Sequence, residues 1–80
     1  MPDLASVVAA NVRAERARHQ WRQRDLAERL GVTQSTVSAI ESGQREVGVG
    51  QLPALCRALK VPFSVLLTGA DKRDLDALGL

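Results

Sequence analysis

Between Gln23 and Glu41 the chain reads as two short amphipathic segments pressed together across one glycine. Leu26, Ala27 and Leu30 recur at helical spacing before Gly31, and Val37 and Ile40 do so after it. Each segment therefore carries one apolar face. Gly31 ends the first segment, because glycine accepts the left-handed backbone that closes a helix. Val32 follows, and Thr33 is a strong N-cap for what comes next. Two helices joined by so short a turn cross steeply. Close crossing needs a small side chain where the backbones meet, and Ala27 supplies it. The spacing predicts helices over 23–30 and 34–41.

The rest of the chain fits around this pair. Asp3 is placed to cap a helix over 4–19, with Leu4, Val8 and Val12 as its apolar stripe. The stretch 44–50 reads as a loop. Pro53 suits the first turn of a fourth helix starting near Leu52, with Leu55, Ala58 and Leu59 turned inward. Lys60, Val61 and Pro62 break it, and a short fifth helix is expected over 63–67. The tail, 70–80, mixes charges with Leu75, Leu78 and Leu80, and a short, loose extra helix is expected there. The predicted architecture is all-α: a compact five-helix domain over 4–69 followed by a C-terminal tail.

Composition removes several function classes. The chain has 80 residues, enough for one core, and 45% of them are hydrophobic, too many for a disordered chain. Its single cysteine, Cys56, and single histidine, His19, lie far apart, so neither an internal disulfide nor a metal site is expected. Cys56 is expected to pack in the fourth helix. Trp21 is expected at the core or its rim, and His19 near the exposed end of the first helix, where a phosphate contact is open to it. No Ser–His–carboxylate cluster suggests catalysis, and no glycine loop suggests nucleotide binding, so neither enzyme activity nor a cofactor is expected. With no apolar run long enough to span a bilayer and no signal-peptide pattern at the N-terminus, the expected location is the cytoplasm, without membrane contact.

The formal net charge is +2. Arg13, Arg16, Arg18, Arg22, Arg24 and Arg29 face only Glu15, Asp25 and Glu28 within one stretch. Arginine suits bidentate contact with phosphate and guanine. The outer side of the 34–41 helix then becomes informative. Helical spacing puts Gln34, Ser35, Ser38 and Ala39 there. An ordinary solvated helix favours Lys and Glu at such positions. Amide, hydroxyl and methyl groups instead suit base edges: Gln matches adenine, Ser and Thr match several bases, and Ala fits the thymine methyl. The expected partner is double-stranded DNA.

The run Arg16, Gln23-Arg24-Asp25-Leu26-Ala27, Gly31-Val32-Thr33 and Val37-Ser38-Ala39-Ile40-Glu41-Ser42-Gly43 resembles the Cro/CI-type helix-turn-helix of phage repressors and xenobiotic-response-element-like regulators. Leu52 to Pro62, with Leu66 and Leu67, fits the later helices of that family. The resemblance implies a lambda-repressor-like fold and a sequence-specific transcriptional regulator. It implies that Gln23 contacts a DNA phosphate, that Gln34, Ser35 and Ala39 read bases, and that Thr33 and Thr36 touch base or backbone. Ser42, Gln44 and Arg45 stand where the following loop meets phosphates. Arg16 and Glu41 match a structural pair tying the first helix to the end of the third.

Two positions depart from the pattern. Arg22 replaces the usual Ser or Thr cap, which costs about 1 kcal/mol but offers a phosphate contact. Gly48 or Gly50 replaces a Ser or Thr cap before the fourth helix. One recognition helix spans too few base pairs for useful specificity, so a homodimer on a near-palindrome is expected. Val65, Leu66, Leu75 and Leu78 are the candidate dimer residues. The rival readings are an antitoxin whose tail binds a protein partner and a helix-turn-helix used only for protein interaction.

Overall fold

The computed structural model describes residues 3–80. Helix α1, Leu4–Arg18, begins where the Asp3 carboxylate accepts the Ser6 N–H at 2.8 Å. Helices α2, Gln23–Leu30, and α3, Gln34–Glu41, follow at the bounds the spacing predicts. A 3₁₀ turn, Val49–Gln51, leads into α4, Leu52–Leu59, and α5, Phe63–Leu66, is a single turn. The tail forms α6, Lys72–Ala77, capped by Asp71, whose carboxylate accepts the Arg73 N–H at 2.8 Å. No strand occurs among the described residues.

The core gathers one or two residues from each of the first five helices. Val12, Leu26, Leu55, Leu59 and Leu66 are wholly excluded from solvent or nearly so, and Val37, Ala27 and Ile40 close the space between them. Burying an aliphatic side chain of this size is worth about 1.5–3 kcal/mol. Ala27 is 3% exposed at the α2–α3 crossing, so nothing larger fits there without displacing α3.

The turn between α2 and α3 shows why a glycine sits in it. Gly31 adopts φ +69°. From that conformation the Val32 N–H reaches the Ala27 carbonyl at 3.0 Å and the Gly31 N–H reaches Glu28 at 3.3 Å. These two bonds satisfy carbonyls that the end of α2 would otherwise leave unpaired. The same pair of bonds closes α1 at Gln20 and α4 at Lys60, where side-chain-bearing residues take φ +60° and +59°.

Several expectations are corrected. In α1 the buried side chains are Val7, Ala9, Val12 and Glu15, while Leu4 and Val8 are only half-buried, because they border a groove that no element covers. Leu66 is 0% exposed and cannot lie on a dimer surface: α5 has one turn, and its inward side is Leu66. Val65 and Leu75 are half-buried, and of that set Leu78 alone is open to solvent. His19 is half-buried, and its Nε2 meets the Leu59 carbonyl at 2.7 Å. The carbonyl only accepts, so Nε2 carries the proton and is spent on joining the ends of α1 and α4.

Candidate nucleic-acid interface

The site is built outward from Glu41, the last residue of α3 and 5% exposed. Arg16 of α1 grips its carboxylate with two bonds, Nε to Oε2 at 2.6 Å and Nη2 to Oε1 at 3.0 Å. The third arm of the guanidinium donates to the Trp21 carbonyl at 2.7 Å. Gln23, the first residue of α2, donates from Nε2 to the same Glu41 Oε1 at 3.2 Å. One buried carboxylate thus joins α1, the turn after it, α2 and α3. The bond to Glu41 pushes the Arg16 guanidinium still further toward its protonated form. The expected structural pair is present, and the Gln23 bond has no signature in the local residue pattern.

That bond orients the Gln23 amide while leaving its second N–H free. The start of α2 is otherwise sparsely capped. Arg22 makes no side-chain cap, but its own N–H donates to the Asp25 carboxylate at 2.8 Å. This is the reciprocal half of a capping box, with the acid three residues on doing the work. The first N–H groups of α2, at Gln23 and Arg24, remain without protein partners among the described residues. Together with the exposed Arg22 and Arg24 side chains, they form a patch suited to an anion.

Helix α3 turns Val37 and Ile40 inward and leaves Gln34, Ser35 and Ser38 exposed, with Ala39 half-exposed beside them. Thr33 spends its hydroxyl on the cap, accepting the Thr36 N–H at 3.2 Å and sharing a 3.0 Å bond with the Thr36 hydroxyl. The Ser42 hydroxyl donates to the Ala39 carbonyl at 3.1 Å. Gln44 and Arg45 are exposed in the loop after α3, and the Arg45 N–H returns to Ala39 at 3.1 Å, which ties that loop to the helix end.

Beside this face lies an arrangement the sequence reading did not assemble. The half-buried Trp21 is stacked on His19 at 4.1 Å, and the Arg29 guanidinium sits over the indole at 3.9 Å. Arg29 also donates to the Asp25 carbonyl at 3.2 Å. The only available signal was the spacing of Trp21 and Arg29 around α2, which is weak without coordinates. Cys56 is half-buried in α4, and burial pushes its thiol up, away from the reactive thiolate. Among the described residues no group of three or more His, Cys, Asp or Glu side chains could hold a metal ion, and no helix is long and apolar enough to cross a membrane.

The Helix-turn-helix family profile matches residues 12–66, from the middle of α1 to the end of α5. The chain belongs to the helix-turn-helix family of transcriptional regulators. The chain is similar to the clp gene regulator ClgR from Corynebacterium glutamicum, with a TM-score of 0.79 and 32% identity over 98% of this chain and 84% of that one. It is similar to the hypothetical transcription factor NHTF from Neisseria, with a TM-score of 0.78 and 31% identity over 89% and 82% of the two chains. An uncharacterised helix-turn-helix transcriptional regulator of Sinorhizobium fredii is 42% identical over 52 residues, 65% of this chain but only 26% of that relative. The helix-turn-helix unit thus corresponds to about a quarter of the Sinorhizobium protein. The all-helical, Cro/CI-like fold and the regulator family are those the sequence resemblance implied.

Proposed function

We propose that this helix-turn-helix domain reads double-stranded DNA by laying α3 in the major groove, as one half of a homodimer on a near-palindromic operator. Gln34, Ser35, Ser38 and Ala39 meet base edges, with Thr33 at the groove wall. Gln23, Arg22, Thr36, Ser42, Gln44 and Arg45 meet phosphates and set the register. The observation that carries this reading is an exposed amide-and-hydroxyl face on a helix whose other side is pinned by Val37, Ile40 and the Arg16–Glu41 pair. Arg16 and Glu41 act through position alone, fixing the angle at which α3 stands out. The segment 70–80 is assigned to partner contact rather than to DNA.

Two recognition helices about 34 Å apart enter successive major grooves on one side of the duplex. The restriction-modification controller protein C.AhdI from Aeromonas hydrophila, 27% identical with a TM-score of 0.72, supports a regulatory role for this fold. Selection from a random-sequence duplex pool with the purified protein tests the reading. The expected result is a motif with inverted half-sites. Recovery of no enriched sequence at low salt, or stoichiometric capture of one protein partner with no duplex binding, overturns it.

A further inference from the structure

We infer that Trp21 and Arg29 together hold one more phosphate of the duplex, on the flank beyond the groove that α3 enters. The inference rests on the DNA reading above and extends its contact surface to two residues outside it. The Arg29 guanidinium lies 3.9 Å from the centre of the Trp21 ring, and its Nη1 donates to the Asp25 carbonyl at 3.2 Å. Arg29 belongs to the last turn of α2, where a cation ordinarily serves the end carbonyls. Here the side chain runs back along the helix and sets its charge beside the first turn.

That placement is unfavourable until an anion arrives. Arg22, Arg24 and Arg29 are exposed, and none has an ion-pair partner among the described residues. The acid of the first turn, Asp25, is engaged by the Arg22 N–H at 2.8 Å. Cations gathered at the positive end of a helix are repelled by one another and by the dipole. A phosphate oxygen relieves both, and Arg29 has guanidinium N–H groups beyond the one at Asp25 to meet it.

The indole supplies a second donor. The Trp21 Nε1–H donates to no group among the described residues. No buried side-chain polar atom lacks a partner among them, so this N–H reaches solvent. The ring itself is held. Arg16 binds the Trp21 carbonyl at 2.7 Å, and His19, stacked on the ring at 4.1 Å, is bonded to the Leu59 carbonyl. A cation laid on a fixed ring loses little freedom when it takes up a phosphate. Each helical residue turns about 100° from the last, so Arg29 stands nearly opposite Ala27, where α3 crosses α2. The phosphate it meets therefore lies on the far side of the Gln23 contact from the bases that α3 reads. Such a contact adds affinity without base identity, and it requires duplex beyond the half-site.

The test is fluorescence anisotropy on duplexes with one half-site, with and without an arbitrary flank. Trimming the flank should weaken binding of the natural chain about tenfold. A neutral methylphosphonate stepped along the flank should find one phosphate whose loss does the same. Arg29→Met keeps an apolar group over the indole. It should weaken binding to every sequence about tenfold, lower the salt slope by about 1, and become indifferent to that methylphosphonate. Arg29→Lys should restore the slope. Trp21→Phe keeps a ring without the N–H, and should weaken binding about threefold or more with the slope unchanged. The chain has one tryptophan, so the indole N–H gives a single proton resonance. Adding duplex should shift that resonance and slow its exchange with water. A merely structural pair would lower the melting temperature yet leave Arg29→Met sensitive to the same methylphosphonate, and that result overturns the inference. Equal binding to flanked and trimmed duplexes also overturns it, as does an indole N–H that exchanges as freely in the complex as alone. In all three cases sequence selection by α3 stands. Absence of any duplex binding at low salt removes the DNA reading and this contact together.

Discussion

Among the exposed side chains of α3 and its following loop, position decides what each substitution should do. Gln34 is exposed at the first turn of α3, and in the proposed reading its amide discriminates one base pair. Gln34→Ala should change which sequence is preferred, at a cost of about 1–3 kcal/mol on the original motif. In the same reading Arg45 supplies charge without base identity. On a duplex with one half-site, Arg45→Ala should weaken binding to every sequence alike and lower the salt slope by about 1. Fluorescence anisotropy at several salt concentrations separates the two outcomes, and indistinguishable variants would remove the assigned roles. Two other residues carry a local cost. Gln20 and Lys60 close helices at positive φ, a conformation that costs a side-chain-bearing residue about 1–2 kcal/mol. Glycine removes that cost but frees the unfolded chain by about 0.4–1 kcal/mol. Lys60→Gly should therefore raise stability in urea by about 0.5–1 kcal/mol.

Helix α3 has eight residues, too few to persist alone in water. It stands because Val37, Ile40 and Glu41 are held, and Glu41 is held by Arg16 and Gln23. Glu41→Ala would strand a guanidinium whose side chain is 17% exposed. The expected loss is about 3 kcal/mol in urea titration, with DNA affinity falling in parallel because α3 and the Gln23 amide both lose their anchor. Thr33→Ala, which removes the cap alone, should cost about 1 kcal/mol. These elements also show how far the sequence could be read. The bounds of α2 and α3 were legible because Gly31 and Thr33 are chemically specific for the positions they fill. Pro62 also marked the end of α4, but the left-handed turns that close α1 and α4 carried no sign, since Gln20 and Lys60 are not residues that announce one. Leu66 was misplaced because one turn of helix has no periodicity to read. The exposed side of α3 followed from its buried side. The bonds of Gln23 to Glu41 and of His19 to Leu59 did not, because they join residues 18 and 40 positions apart through geometry that no local pattern encodes.

A chain of 80 residues buries only a modest share of its surface, so its stability is small and sensitive to conditions. Acid shows which ends give first. The Asp3 carboxyl is held below its usual 3.8 by the Ser6 N–H at the start of α1, and the Asp71 carboxyl by the Arg73 side chain and then its N–H at the start of α6. A lowered folded value means these caps contribute above the ordinary carboxylate range and fail as pH falls through the folded value. Their share of stability should be constant from neutral pH down to about 4 and decline below it. Helix content followed against pH checks this, and Asp3→Asn, which keeps a capping oxygen without a titrating group, should blunt the decline. Finally, the chain contains one tryptophan, and it lies next to Arg22 and Gln23 with a guanidinium on its face. The molecule therefore carries an intrinsic optical probe at the edge of the surface proposed to meet DNA. A change in indole emission on adding duplex would report docking in unlabelled protein, and its salt dependence could be followed without a dye.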